Sequence, residues 1–290
     1  MKITHAIDET RQARASLGHV ALVPTMGALH DGHLSLIRLA RQHADRVAVS
    51  IFVNPTQFAP HEDLEKYPRP IERDLQRCRD LGVDLVFNPD VPTIYPPYEL
   101  PVEISVPAIG RILEGEHRPH FFGGVCQVVA KLFNIIQPQA AVFGQKDYQQ
   151  LKVIEAMVTG LNMPIEILPG TTMRDPDGLA MSSRNVYLNA DQRHRGLSLS
   201  KALHEAEQLI ADGVMDPEQV ESAMRQVLTA HDAAIDYAVV RDARSLQPVD
   251  TVNSQVEPVV CLIAAKIGPV RLIDNRVFGE AKGRRQKAEV

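Results

Sequence analysis

The stretch Val47-Ala48-Val49-Ser50-Ile51-Phe52-Val53 is almost continuously apolar, and Asn54-Pro55 ends it. Only a strand covered on both faces tolerates such a run, which points to a parallel sheet sandwiched between helices. Other runs repeat the pattern. Val20-Ala21-Leu22-Val23 leads into a turn at Pro24-Thr25-Met26-Gly27, and an amphipathic helix from about His33 follows, with Leu36, Ile37, Ala40 and Ala44 on one face. Further strands are expected at Asp84-Leu85-Val86-Phe87, Ala140-Ala141-Val142-Phe143 and Ile165-Glu166-Ile167-Leu168. Helices are expected around Ile71 to Leu81, between Gly124 and Gln137 where Pro138 stops the turn, and through Leu151, Ile154, Val158 and Leu161. The segment from Pro89 to Pro101 reads as a long loop. Strands alternating with helices, joined by right-handed crossovers, give a doubly wound parallel α/β sheet.

After Met173 the texture changes. A polar segment, Arg174-Asp175-Pro176-Asp177-Gly178, precedes helical stretches near 190–212 and 216–231 and three strands, Ile235 to Val240, Val259 to Ala264 and Val270 to Ile273. These form a second, smaller α+β C-terminal domain, so the expected division is 1–175 and 176–290. The stretch from Lys282 to Lys287 reads as a frayed tail.

At 290 residues and 44% hydrophobic, the chain can bury a large core. The formal net charge of -5 argues against a broad surface for nucleic acid, though a local basic pocket suffices for a small anion. Cys78, Cys126 and Cys261 are far apart, so neither a disulfide framework nor a structural zinc site is expected. Met1 is followed by charged residues rather than an apolar leader, and no run approaches the length of a membrane span. The expectation is a soluble, cytoplasmic protein without a nucleic-acid or membrane partner.

Three elements carry chemistry. Met26-Gly27-Ala28-Leu29-His30-Asp31-Gly32-His33 contains an H-x-G-H pattern at a strand-to-helix turn, where open α/β folds bind ligands and a helix N-terminus favours phosphate. His30 and His33 can both point into that crevice and donate to phosphate oxygens as charge develops, and Gly32 is expected to let the nucleotide approach the backbone. Gly144-Gln145-Lys146-Asp147-Tyr148-Gln149-Gln150 follows another strand. There Lys146 would place a compact positive charge on phosphate and Gln150 would offer an amide to an acyl substrate. Met181-Ser182-Ser183-Arg184 supplies two hydroxyls and a guanidinium suited to the β- and γ-phosphates. Each element also has a plainer reading: incidental surface histidines or a metal pair, a solvated helix N-terminus, and a polar hinge. Three together are far less easily coincidental than one.

The motifs Val23 to His33, Ile51 to Phe58, Lys66-Tyr67-Pro68-Arg69, Phe143 to Gln150, Gly178 to Asn185 and Arg271-Leu272-Ile273-Asp274-Asn275 resemble, in order and across essentially the whole chain, the pantothenate synthetase (pantoate–β-alanine ligase) family of H-x-G-H nucleotidyltransferases. The resemblance implies a Rossmann-like first domain, a C-terminal lid domain, ATP as substrate, Mg²⁺ dependence and a homodimer. It also implies ATP-dependent condensation of pantoate with β-alanine through a pantoyl-adenylate, releasing pyrophosphate and then AMP. Carried over, Met26, Gly27, Ala28, Leu29, His30, Asp31, Gly32 and His33 contact ATP with His33 as the catalytic histidine, and the reading of the residues themselves adds His30 and Lys146 as catalytic. Gly144, Gln145, Lys146, Asp147, the backbone of Met173, and Met181, Ser182, Ser183 and Arg184 complete the nucleotide site. Gln57 and Gln150 hold pantoate, Gln57 also lies near β-alanine, and Asp74 is the expected metal-side carboxylate. The chain departs from the family's Gly-His-Phe run after Arg-Pro, since Arg118-Pro119 is followed by His120-Phe121-Phe122.

Alternatives are another H-x-G-H nucleotidyltransferase acting on a phosphate-bearing acceptor, a class I aminoacyl-tRNA synthetase, and a non-catalytic adenine-nucleotide sensor. The neutral amides of Gln57 and Gln150 favour a carboxylate-and-hydroxyl substrate. The length and acidic balance argue against a tRNA-binding extension.

Overall fold

A computed structural model describes residues 1–59, 62 and 64–279. The expected tail from Lys282 to Lys287 lies outside the described residues. By compactness the chain divides into one unit of Met1–Asp175 with Ala180–Asn185, and another of Pro176–Leu179 with the residues from Val186 onward.

The first unit is a six-stranded parallel sheet in the order β1-β4-β3-β2-β5-β6. Its strands are β1 (Lys2–Thr4), β2 (Val20–Thr25), β3 (Arg46–Ile51), β4 (Leu85–Phe87), β5 (Ala140–Gly144) and β6 (Glu166–Gly170). The long helices are α1 (Ile7–Ala15), α2 (Asp31–His43), α3 (Ile71–Asp80), α7 (Phe121–Ile136) and α8 (Tyr148–Gly160), with single turns α4 (Val91–Ile94), α5 (Pro107–Gly110) and α6 (Glu114–His117) between them. Alternate strand residues explain the sandwich. Ala21, Val23, Val47, Val49, Val86, Ala140 and Val142 pack with Leu36, Ile37 and Ala40 of α2 and Leu75 and Cys78 of α3. The intervening residues Leu22, Ala48, Leu85, Phe87 and Ala141 are equally buried on the opposite face. Runs buried on both sides are therefore near-continuously apolar, as a doubly wound sheet requires.

Several short elements escape the sequence reading, as does α1. Strand β1 is three residues long and edges the sheet beside β4, too short for any period to show. Helix α1 is strongly polar with only Thr10 buried, but its Arg14 donates to the carbonyls of Ile136 and Gln137 at 2.8 and 3.0 Å and so caps α7. Gln137 itself ends α7 in the left-handed region, φ 48°, immediately before Pro138. Inside the expected loop from Pro89, the turn α4 forms because Asp90 accepts from Thr93 N at 2.9 Å.

The second unit contains α9 (Ala190–Gly196), α10 (Ser198–Ala211), α11 (Pro217–Thr229) and an antiparallel sheet of β7 (Ala234–Asp242), β8 (Val259–Ile267) and β9 (Val270–Phe278). The expected helix near 190–212 is thus two helices, with Leu197 between them. Leu199, Leu203, Val220, Met224 and Leu228 of α10 and α11 pack on Ala238, Val240, Cys261, Ile263 and Ala265 of the sheet. The period of two along the strands meets the helical period along α10 and α11. All three cysteines are buried and unpaired. Among the described residues no helix is long and apolar enough to cross a membrane.

Candidate active site

The strand order reverses between β2 and β5: the chain leaves β2 toward β3 and β4 on one side, and β5 and β6 extend the other. Ligands of open α/β sheets bind at such a switch point, beyond the carboxyl ends of the strands. The two turns that leave those ends carry the H-x-G-H pattern and Lys146.

The turn after β2 is sharply folded, with Gly27 at φ 86° and Ala28 at φ 50°. It is fastened from α3. Asp74 accepts Ala28 N–H at 2.7 Å on one oxygen and Leu29 N–H at 2.9 Å on the other, and Arg77, one helical turn on, donates to the Leu29 carbonyl. These carboxylate bonds compensate the charge of a side chain that is 1% exposed. The expected metal-side carboxylate, Asp74, thus has a structural part as well: both of its oxygens serve main-chain donors and brace the turn. Among the described residues, no group of three or more His, Cys, Asp or Glu could hold a metal ion. Sequence reasoning missed Arg77, whose partner Leu29 is distant in the chain.

His30 and His33 stand together, ring centroids 4.1 Å apart and tilted by 43°. His30 N–H donates to His33 Nδ1 at 3.3 Å, so Nδ1 is the acceptor and the ring proton sits on Nε2, the nitrogen left to donate to a ligand. Protein atoms crowd the His33 ring, and this burial, with smaller contributions from His30, Lys146 and Arg77, lowers its pKa to about 3. His30 is also lowered, first by burial, then by Lys146 and Arg77, against the opposing pull of Asp147 and Asp175. Both are therefore neutral donors at physiological pH. The buried Nδ1 of His30 has no hydrogen-bond partner among the described residues. Gly32 also makes room for its own neighbour: a Cβ there would lie 2.9 Å from His30 Cε1 and 3.0 Å from its Nδ1.

Beyond β5, a 3-10 turn over Gln145–Asp147 presents Lys146, whose ammonium lies 3.7 Å from Asp147 Oδ1 and acts electrostatically on both histidines. Gln149 and Gln150 begin α8 and differ in kind. Gln149 is buried, accepting from Glu114 N–H at 3.1 Å and donating to the carbonyls of Ile109 and Ile112 at 2.8 Å, so its amide is consumed by structure. Gln150 is half-buried.

Gln57 closes a 3-10 turn, Pro55–Gln57, and both ends of its amide are held. Asn54 Nδ2 donates to Gln57 Oε1 at 3.0 Å, and Gln57 Nε2 reaches Met26 Sδ at 3.2 Å, which brings this amide to the start of the H-x-G-H segment. Asn54 is itself 1% exposed and accepts from Tyr95 OH at 2.9 Å. In the sequence Asn54 reads only as a strand stop, and its partner Tyr95 falls inside a supposed loop.

Met173 and Met181 are joined by a main-chain bond, Met181 N–H donating to Met173 O at 2.9 Å, with Arg174 and Ala180 paired antiparallel beside it. Met173 reaches the first motif, its Cβ lying 3.9 Å from where a Cβ on Gly32 would stand. Ser182 Oγ accepts Arg184 N–H at 3.3 Å, and Ser183 Oγ lies 3.4 Å from Tyr67 OH.

Residues 2–277 match the family model of pantoate-beta-alanine ligase. The chain belongs to this family. It is 51% identical to the pantothenate synthetase of Rhodopirellula baltica over 259 residues, 89% of this chain and 90% of that one. The crystal structure of pantothenate synthetase from Thermus thermophilus superposes with a TM-score of 0.89 at 38% identity, covering 95% of this chain and 99% of that one. The pantoate-beta-alanine ligase of Francisella tularensis, solved in complex with beta-gamma ATP and beta-alanine, aligns with a TM-score of 0.78 at 34% identity over 96% and 97% of the two chains. Family membership disfavours the other nucleotidyltransferase and the sensor, and it covers both units, since the match runs from β1 into β9. The pantoate–β-alanine ligase family is thus the frame in which the departure at His120-Phe121-Phe122 has to be understood.

Proposed function

We propose that the chain condenses pantoate with β-alanine at the expense of ATP, through a pantoyl-adenylate. Beside family membership, one observation carries this reading: two neutral imidazoles and the Lys146 ammonium share the switch point of the sheet, with the Gln57 amide against Met26 at its edge. Cationic and neutral donors suit phosphate, whereas a neutral amide suits a carboxylate and hydroxyls.

In the first step a carboxylate oxygen of pantoate bonds to the α-phosphorus, and the bond to the bridging oxygen breaks, its electron pair leaving with pyrophosphate. The carboxylate is already ionised, so positioning and charge stabilisation dominate. His33 Nε2–H, His30 and Lys146 stabilise the α-phosphoryl oxygens, and Met26 to His33, Gly144 to Asp147, Met173 and Met181 to Arg184 form the nucleotide site. Gln57 and Gln150 orient pantoate. In the second step the free amine of β-alanine, near Gln57, attacks the acyl carbonyl; the C–N bond forms, the C–O bond to phosphate breaks, and AMP departs. The ammonium form of β-alanine must lose a proton first, as its lysine-like pKa of about 10 requires. Magnesium belongs to this reading as a companion of the nucleotide's phosphates, since it usually binds through substrate phosphates and few protein carboxylates. Division at residue 176, action of the C-terminal unit as a lid, a homodimer and a cytoplasmic location complete the proposal.

Incubating the protein with pantoate and ATP, quenching, and analysing by mass spectrometry tests the two steps. The expected result is pantoyl-adenylate and pyrophosphate without β-alanine, and AMP with pantothenate once it is added. AMP formed only with β-alanine, and no adenylate in a single turnover, would overturn the two-step reading. Sedimentation at micromolar concentration tests the dimer, and a monomer mass at every concentration would remove it.

A further inference from the structure

The Arg118 guanidinium stands behind Gln57, on the main-chain side of the turn that presents the amide. It donates to the Gln57 carbonyl at 3.1 Å through one terminal nitrogen. The same nitrogen and Nε clasp the two Glu62 oxygens at 2.7 Å each, a fork-to-fork pair. Glu114 lies 3.7 Å from the remaining nitrogen, and the Phe121 ring covers one guanidinium face at 3.9 Å. The Arg118, Glu62 and Glu114 side chains are only 16, 19 and 9% exposed, so the cluster is shielded from the screening that weakens surface ion pairs. Burial by itself would raise the Glu62 pKa, yet the hydrogen bonds and charge of Arg118 bring it below its ordinary value.

On its other side the same turn rests on bare backbone: a Cβ on Gly124 would stand 2.4 Å from the Thr56 carbonyl oxygen and 2.8 Å from Gln57 N, and the Gly124 carbonyl accepts from Asn54. The turn is therefore gripped between a guanidinium and α7. A 3-10 turn has poor internal hydrogen bonds and needs such external support to hold one orientation.

We propose that Arg118, locked by Glu62 and backed by Phe121, is a positioning residue that sets Gln57 for the acyl substrate. The inference rests on the reading of Gln57 as a pantoate ligand. Lysine cannot replace Arg118 here, because a point charge cannot clasp a carboxylate with its fork, reach a carbonyl and lie flat on an aromatic ring at once. Since Arg118 bonds to the main chain of Gln57 while Glu62 also feels the charge of Arg184, loss of the guanidinium is felt in pantoate recognition, and Arg118→Lys is the variant that preserves ATP binding.

The test compares Arg118→Lys, Glu62→Gln, Phe121→Leu and Phe121→Tyr with Gln57→Ala, using pyrophosphate release against pantoate concentration, separate ATP titrations, and melting temperatures. Arg118→Lys and Glu62→Gln should raise the pantoate KM by about tenfold, as loss of a charged hydrogen bond predicts, with ATP affinity unchanged in Arg118→Lys. Phe121→Leu should raise it less, and Phe121→Tyr should restore it, since tyrosine keeps the ring face. A wild-type pantoate KM in Arg118→Lys, with only a lowered melting temperature, overturns the proposal. Should that variant not fold, the Phe121 pair decides: equal KM values for Leu, Tyr and wild type count against it. An unchanged pantoate KM in Gln57→Ala would instead show that the reading of Gln57 has failed, and the inference with it.

Discussion

The Asp74 carboxylate accepts the main-chain N–H of Leu29 at 2.9 Å while its second oxygen takes that of Ala28 at 2.7 Å, so one buried side chain satisfies two consecutive donors of the H-x-G-H turn. Asp74→Asn keeps the shape but turns an amide N–H₂ toward one of them. Loss of a charge-assisted bond and exposure of a buried donor should cost about 2–3 kcal/mol. Urea unfolding should show a lower midpoint at unchanged slope, and adenylation should slow as the turn loosens. An unchanged midpoint would show that the clasp contributes nothing.

On the proposed mechanism, His33→Ala removes a donor needed most as charge builds on the α-phosphoryl group. Adenylation should slow by about 10²–10³-fold, with ATP affinity changing far less because other groups share ground-state binding. Lys146→Ala should be comparably slow, whereas Gln150→Ala should chiefly raise the pantoate KM. Rapid-quench rates and ATP titrations separate these outcomes, and near-wild-type adenylation by His33→Ala would make that histidine a bystander.

Held neutral by its desolvated surroundings, His33 makes stability pH-dependent in a defined window. The unfolded chain takes up this proton near pH 6.5, the folded chain near 3. Between these values the unfolded state binds more protons, so stability is lost as pH falls from 6.5 toward 3 and is unaffected above 6.5. Denaturant midpoints of wild type should decline over that range, and those of His33→Gln should decline less. Parallel curves would refute the assignment. Adenylation rates, correspondingly, should show no inflection near pH 6.5 that His33→Gln abolishes.

Gly32→Ala should separate stability from activity. Alanine is the better helix former by about 0.8–1 kcal/mol, so α2 gains locally, yet the new methyl group must displace the His30 ring from 2.9 Å. The melting temperature should hold or rise relative to other substitutions in this turn while adenylation falls. Wild-type adenylation would mean that His30 need not occupy the place it has here.

The sheet was legible because burial on both faces imprints itself as apolar runs, of which Val47 to Ile51 is the plainest. Local signals also located His30, His33 and Lys146 at strand ends. What could not be read were partnerships across long sequence separations: Asp74 with Ala28, Arg77 with Leu29, Arg118 with Gln57. No period or spacing encodes them, since each depends on how α3 or the α6–α7 junction packs in three dimensions. Gly32 shows the same limit in another form, since no sequence signal tells that a side chain there would meet the His30 ring. Strand β1 was missed for the simpler reason that three residues carry no pattern.

Because β5 follows β3 and β4 in the chain yet pairs with β2 on its other edge, the H-x-G-H turn and Lys146 leave the ribosome at very different times. A nascent chain that has emerged only as far as β4 holds the H-x-G-H turn and its Asp74 brace but lacks Lys146. On the proposed reading of the site, ATP would gain nothing from that lysine in the early intermediates and would stabilise the first unit fully only once its sheet is complete. A chain cut short between β4 and β5 would therefore give no warning of its defect in the motif most readily recognised.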